Sequence, residues 1–182
     1  MVFQERSLPD LASAIMERDT DIALVHRPVD SGRLKFTPLF DEPLLLAVPN
    51  SHRLANGNII DPGSIPCEEM ITLTNGHCLC QETLTPCLDR VAGAAITDDL
   101  SATSLLTVAH FIAHGYGCTL IPQLGADIMK RVNPDIRILE IEGQAMIRRI
   151  GFLGEANGPR SQIVERFERE IRKHPPAGVL QI

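Results

Sequence analysis

Leu8, Leu11, Ala12, Ile15 and Met16 recur at the spacing of one helical face. Ser7-Leu8-Pro9-Asp10 in front of them carries a start signal: a serine to cap, a proline in the first turn and an aspartate placed to meet the cap. The period then changes. Ile22-Ala23-Leu24-Val25 is a short apolar run of buried-strand type, Phe36 to Phe40 predicts a second strand, and Leu44-Leu45-Leu46-Ala47-Val48 a third, stopped by Pro49. Ile71-Thr72-Leu73 is a further strand that runs into the turn dipeptide Asn75-Gly76. A helix interrupted by Pro86 is expected over about 81–91, with a strand at Ala95-Ile96-Thr97 after it. Thr103-Ser104 caps a helix carrying Leu105, Leu106, Val108, Ala109, Ile112 and Ala113, which Gly115 and Gly117 end. Cys118 to Ile121 predicts a buried strand ended by Pro122, then a short helix to about Met129, and 136–141 and 147–153 read as two more strands. The last helix is expected from Asn157-Gly158-Pro159, with Ile163, Phe167 and Ile171 on one face and Glu165–Arg169 and Glu168–Arg172 as exposed pairs. His174-Pro175-Pro176 begins a loose tail. Alternating strands and helices argue for an α/β fold with a mainly parallel sheet.

The chain has 182 residues, 44% of them hydrophobic, enough for one domain or two small lobes with a proper core. The net charge of −6, with no cluster of Lys and Arg, argues against a direct grip on DNA by this chain. With no Trp and one Tyr, stacking platforms for single strands are not expected either. No apolar run approaches the ~20 residues that span a bilayer, and the N-terminus lacks the apolar stretch of a signal peptide. A cytoplasmic location follows as the expectation, with no membrane partner. Thiols stay reduced there, so the five cysteines are read as core fillers, metal ligands or reactive groups rather than a static disulfide framework. Cys118, inside an apolar run, and Cys67, after Ile65-Pro66, read as core. His77, Cys78, Cys80 and Cys87 are donors of a type zinc accepts, but no second spaced cysteine pair follows Cys78-x-Cys80, and neither a metal nor a cofactor is expected.

Several phrases then line up with one family. Asp41-Glu42-Pro43-Leu44-Leu45-Leu46-Ala47-Val48-Pro49, followed by His52, resembles the crossing strand of LysR-type effector domains, and Gly115-Tyr116-Gly117-Cys118-Thr119-Leu120-Ile121-Pro122 resembles another segment of them. Gly76-His77-Cys78-Leu79, with Cys87 nine positions after Cys78, resembles the redox loop of the peroxide-sensing, OxyR-type branch. Ala102-Thr103-Ser104-Leu105 resembles the segment that closes the same pocket. The resemblance covers nearly the whole chain. It implies a periplasmic-binding-protein-like (type 2) fold, two Rossmann-like lobes joined by two crossing strands. Residues 1–43 and 148–182 would form lobe I, without its first strand and helix, and 44–147 would form lobe II with the redox cysteines. It also implies a homodimer or tetramer through the regulatory domain, DNA contact only through a helix-turn-helix domain absent from this chain, and no enzymatic turnover.

The chemistry so implied is hydrogen-peroxide sensing. A thiolate is the nucleophile that attacks the O–O bond, and a Cys of pKa ~8.5 is only a few per cent ionised at neutral pH. His77 beside Cys78, and a helix start just after it, are neighbours that stabilise negative sulfur. The resemblance makes Cys78 the peroxide-reactive thiol and Cys87 the resolving one. If 78–87 were helical their Cα atoms would lie ~13 Å apart, whereas a disulfide tolerates at most ~7 Å, so bond formation must unwind the helix. Arg148 aligns with an arginine that the family places near the reactive cysteine, with Arg149 one register away. Thr103 and Ser104 are candidates to bind peroxide or an anion at a helix start. Two positions depart from the pattern: Gln81 stands where the family usually has Asp, and Cys80, where Arg is common, is a third thiol able to compete as resolving partner. Plainer readings stand beside these: Cys78 and Cys87 as core residues, His77, Thr103 and Ser104 as caps, Arg148 as a solvated strand end. The competing function is an effector domain that binds a small anionic or aromatic metabolite between the lobes without redox sensing. A thiol-peroxidase enzyme is disfavoured, because no C-x-x-C occurs at a strand–helix junction.

Overall fold

A computed structural model of the chain describes residues 2, 4–26, 32–73, 101, 102, 104–144, 146–155 and 161–182. The helix expected over 81–91 and the strand at 95–97 lie outside the described residues. The chain divides into two compact units, one formed by 1–42 with 148–182 and the other by 43–147.

The first unit opens with helix α1, Leu8–Met16. Ser7 stays extended and its hydroxyl accepts the Asp10 N–H at 3.4 Å while donating to the Asp10 carboxylate, which satisfies a backbone donor that the first turn leaves unpaired. Ala12, Ala14 and Ile15 are its buried residues. Ile15 packs with Ala23, Val25 and Leu153. Strand β1 is Ala23–Val25, and the long β2 runs from Leu34 to Pro49. The unit is completed by β8 (Ile147–Glu155), the closing helix α4 (Ser161–Lys173) and a short β9 (Leu180–Gln181). β1 lies antiparallel to β8, with Leu24 opposite Phe152, and β9 lies antiparallel to β2, with Phe40 opposite Gln181.

In the second unit the remainder of β2 pairs antiparallel with β6 (Thr119–Pro122) and with β7 (Ile136–Ile141). The two-residue β3 (Ile59–Ile60) adds to β7 in parallel. Helices α2 (Leu105–Ala113) and α3 (Gln123–Val132) cover this sheet, and β4 (Thr72–Leu73) with β5 (Ser101–Ala102) forms a separate parallel ladder. Ala47, Val48, Val108, Ile112, Ile121 and Leu139 have no or almost no exposed surface. Such residues stabilise the fold by about 1.5–3 kcal/mol per large side chain removed from water. Helix α2 begins where the Ser104 hydroxyl accepts the Thr107 N–H at 3.2 Å, and it ends as the chain turns left-handed at Gly115, φ +79°.

Three sequence expectations change. The two strands read at 36–40 and 44–48 are one continuous strand; Pro43 falls between the residues that pair with β9 (Phe40, Asp41) and those that pair with β6 (Leu44 to Ala47), where its missing N–H interrupts neither ladder. The described ladders are mostly antiparallel rather than parallel, because β2 pairs antiparallel with β6, β7 and β9; β3–β7 and β4–β5 are the parallel pairs. The tail is not loose. After Pro175-Pro176 the chain returns as β9, Val179 packs into the apolar cluster around Leu39, Phe40, Ile150 and Phe152, and Arg172 of α4 donates to the carbonyls of Pro38 and Ile182.

Candidate functional site

Residues 74–100 carry His77, Cys78, Cys80, Gln81 and Cys87, and these lie outside the described residues, as does Thr103. The structure shows how this segment is attached. It departs from β4 and returns into β5, and those two strands pair, Thr72 opposite Ser101 and Leu73 opposite Ala102. The ladder is set into the core of its unit: Ile71 is buried, and the Thr119 hydroxyl donates to the Ile71 carbonyl at 2.8 Å. Both ends of the cysteine segment are therefore fastened at one place on a packed unit. Ser104 follows directly, and its hydroxyl is engaged as the cap of α2, also lying 3.0 Å from the Thr107 hydroxyl.

Arg148 and Arg149 are sorted by the strand's alternation. The Arg148 Nε donates to Glu42 Oε2 at 2.8 Å; the Glu42 side chain is wholly buried and that of Arg148 is 14% exposed. Arg149 points the other way, half in solvent, and grips Asp41 with two bonds, Nε to Oδ1 at 2.7 Å and Nη2 to Oδ2 at 2.8 Å. The Arg149 hydrogen bond holds the Asp41 carboxyl below its ordinary pKa against the opposing effect of burial, and the Asp41 contact raises that of Arg149. Of the two arginines that the sequence offered, Arg148 is the inward one, its guanidinium fixed on a buried carboxylate. Glu42 and Asp41 had no assigned role in the sequence; the cue was two adjacent acids on one strand and two adjacent arginines on another.

A second cluster surrounds the turn Cys67–Glu69. Cys118 is a free thiol with no exposed surface, its Sγ 3.6 Å from the Glu69 carbonyl and 3.6 Å from Met70 Sδ. Burial, and then the charges of Glu69 and Glu68, push its pKa up to about 12. Buried and held in its thiol form, it lacks the exposed thiolate that a peroxide-reactive cysteine needs. The reading of Cys118 as core holds. Cys67 is buried too, as that reading had it, but it is also disulfide-bonded, which the sequence did not announce. The turn is clamped from outside. The His52 Nδ1 accepts the Leu54 N–H at 3.2 Å, which leaves the proton on Nε2 to be donated to Glu69 Oε2 at 3.1 Å. Among the described residues no group of three His, Cys, Asp or Glu side chains is placed to hold a metal ion. No helix among them is long and apolar enough to cross a membrane.

Comparison with known proteins places this geometry. The LysR substrate binding domain matches residues 2–176. The "DNA-binding transcriptional dual regulator OxyR" of Escherichia coli K12 is 31% identical over 172 residues, 94% of this chain and 55% of that protein. The "Hydrogen peroxide-inducible genes activator" of Dickeya chrysanthemi is 27% identical over 96% of this chain and 56% of its own length. The chain thus spans about half the length of the curated relatives it matches. Among solved structures, a reduced form of OxyR superposes with a TM-score of 0.80 at 25% identity, covering 95% of this chain and 80% of the other. A reduced OxyR from N. meningitidis gives 0.80 at 21% identity, over 97% and 82%. The fold is the periplasmic-binding-protein-like type 2 α/β fold of these regulatory domains.

Proposed function

The chain belongs to the LysR substrate-binding-domain family, and on that footing we propose that it is the regulatory domain of a transcription regulator that responds to hydrogen peroxide through a reversible Cys78–Cys87 disulfide. The observation that carries the reading is Gly76-His77-Cys78 with Cys87 nine positions on, in a chain 31% identical over 94% of its length to a regulator named OxyR. The Cys78 thiolate attacks one peroxide oxygen, the O–O bond breaks, and the departing hydroxide takes a proton and leaves as water. Cys78 is then a sulfenic acid. The Cys87 sulfur attacks it, the S–O bond breaks, a second water leaves, and the disulfide forms. Two thiols are oxidised and one peroxide is reduced.

His77 and Arg148 stabilise the thiolate in this reading, Arg148 with its guanidinium held by buried Glu42. Thr103 and Ser104, at the start of α2, receive the peroxide. The paired strands β4 and β5 hold the segment's two ends together, so a change inside it is passed to the packed unit rather than lost as loop motion. In this reading the protein works as a cytoplasmic homodimer or tetramer through its regulatory domain, with 1–43 and 148–182 as lobe I and 44–147 as lobe II. A net charge of −6 leaves DNA contact to other parts of such a regulator, and the domain performs one oxidation per stimulus rather than turnover. The test is peptide mapping of the reduced protein after a brief, low dose of hydrogen peroxide. A loss of ~2 Da mapped to Cys78 and Cys87, and abolished in Cys78→Ser, is expected. Thiols that stay reduced until high dose, or oxidise without selectivity, overturn the reading and favour a metabolite-binding effector domain.

A further inference from the structure

Helix α2 carries two histidines one turn apart. His110 lies on its exposed side, and His114, also exposed, caps its C-terminus. The His114 N–H donates to the His110 carbonyl at 3.2 Å, so residue 114 keeps the helical spacing although it ends the element. Residues four apart on a helix face the same way, with Cβ atoms roughly 5–6 Å apart. We propose that His110 and His114 form a surface chelate for a late divalent transition metal (copper, nickel or zinc), with water in the remaining positions. The site uses none of the residues of the peroxide reading and stands whether or not that reading does.

The His114 ring is already set for this task. Its Nδ1 lies 2.8 Å from the same His110 carbonyl oxygen. A carbonyl only accepts, so Nδ1 carries the proton, and in the neutral ring the Nε2 lone pair is left for a metal. Metal-binding histidines donate their other ring N–H to a carbonyl or carboxylate in this way, which fixes both tautomer and orientation. The bond also folds the His114 ring back toward residue 110, the direction in which its partner lies. Among the described residues the His110 ring nitrogens have no hydrogen-bond partner.

The place favours a cation as well. The last carbonyls of α2 gather at this end, and the helix dipole puts partial negative charge there. The chain as a whole carries a net charge of −6. Imidazole nitrogen selects copper, nickel and zinc, whereas calcium and magnesium take oxygen ligands. Bound metal would tie the last turn of α2 to itself, just ahead of the left-handed turn at Gly115.

The whole 182-residue chain, its accessible thiols blocked with N-ethylmaleimide, is titrated with nickel chloride in a calorimeter. Saturable binding is expected. Two linked ligands bind far more tightly than either alone, so the affinity should fall at least about tenfold in His110→Ala and also in His114→Gln, whose amide can keep the bond to the His110 carbonyl. Affinity within about twofold of wild type in either variant overturns the inference, because one imidazole then suffices or the metal sits elsewhere. Absence of saturable binding at millimolar nickel overturns it too. A second measurement needs no variant: nickel should protect His110 and His114 together from diethylpyrocarbonate in the wild-type chain, mapped by peptide mass. Protection of only one of them, or of neither, refutes the chelate whether or not the variants fold.

Discussion

Gly117→Ala isolates the packing behind the Cys67 turn. Gly117 has φ +153°, and a Cβ on it would meet the Glu69 carbonyl oxygen at 2.3 Å and Ile71 Cγ1 at 3.1 Å. The first of these is backbone and cannot swing aside. That carbonyl also accepts the Cys118 N–H at 2.9 Å, so a retreat of about an ångström lengthens a buried bond past the usual limit. The backbone conformation costs ~1–3 kcal/mol for a residue other than glycine, and the forced contact a further ~1–3, for a total of roughly 2–6 kcal/mol. Gly115→Ala is the internal control. Its φ is +79°, but nothing lies within 4 Å of the added carbon, so only the conformational cost of ~1–2 kcal/mol remains. Urea denaturation of the reduced forms, followed by circular dichroism at unchanged slope, reads both, and most of the difference between the variants is the steric cost. Equal midpoints for the two, within ~0.5 kcal/mol, refute the reasoning.

Glu42→Ala leaves the Arg148 guanidinium without its buried carboxylate, and a loss of ~3–5 kcal/mol is expected in the same denaturation assay; a loss under ~1 kcal/mol would mean that the pair is solvated. The folded Asp41 carboxyl lies below its unfolded value, so its bond with Arg149 contributes stability above about pH 4, and that contribution fades as pH falls through the lowered value; Asp41→Asn should flatten this acid limb, and an unchanged slope of urea midpoint against pH below about 4 argues against the pair. Cys118, with its pKa near 12 and no exposed surface, should resist iodoacetamide at pH 8 (about the pKa of an ordinary thiol) until the protein unfolds; labelling at a rate independent of added urea would contradict the burial.

What the sequence disclosed and what it withheld divide along the range of the interactions. Helix α1 was readable because Ser7, Pro9 and Asp10 act on one another within a single turn, and α2 because Ser104 caps three residues ahead and Gly115 stops the helix two residues past its end. The tail strand β9 was not readable, since two leucine-sized residues after Pro175-Pro176 mean nothing until Phe40 and Asp41 stand opposite them. The same holds for the polar partners. Glu42 and Arg148 are separated by 106 positions, and His52 and Glu69 by 17. Yet the pairing of 41 with 149 and 42 with 148 obeys a local rule. Successive side chains on a strand face opposite ways, so two adjacent acids on β2 and two adjacent arginines on β8 must sort into one inward and one outward pair wherever the strands lie antiparallel in that register. The residue types were legible; the register that turns them into a buried latch and an exposed one is a property of the sheet. Cys67 belongs to the same class: a lone cysteine after Ile65-Pro66 reads as core filler, and the contacts that fasten its turn come from His52, Gly117 and Cys118, residues distant in the chain.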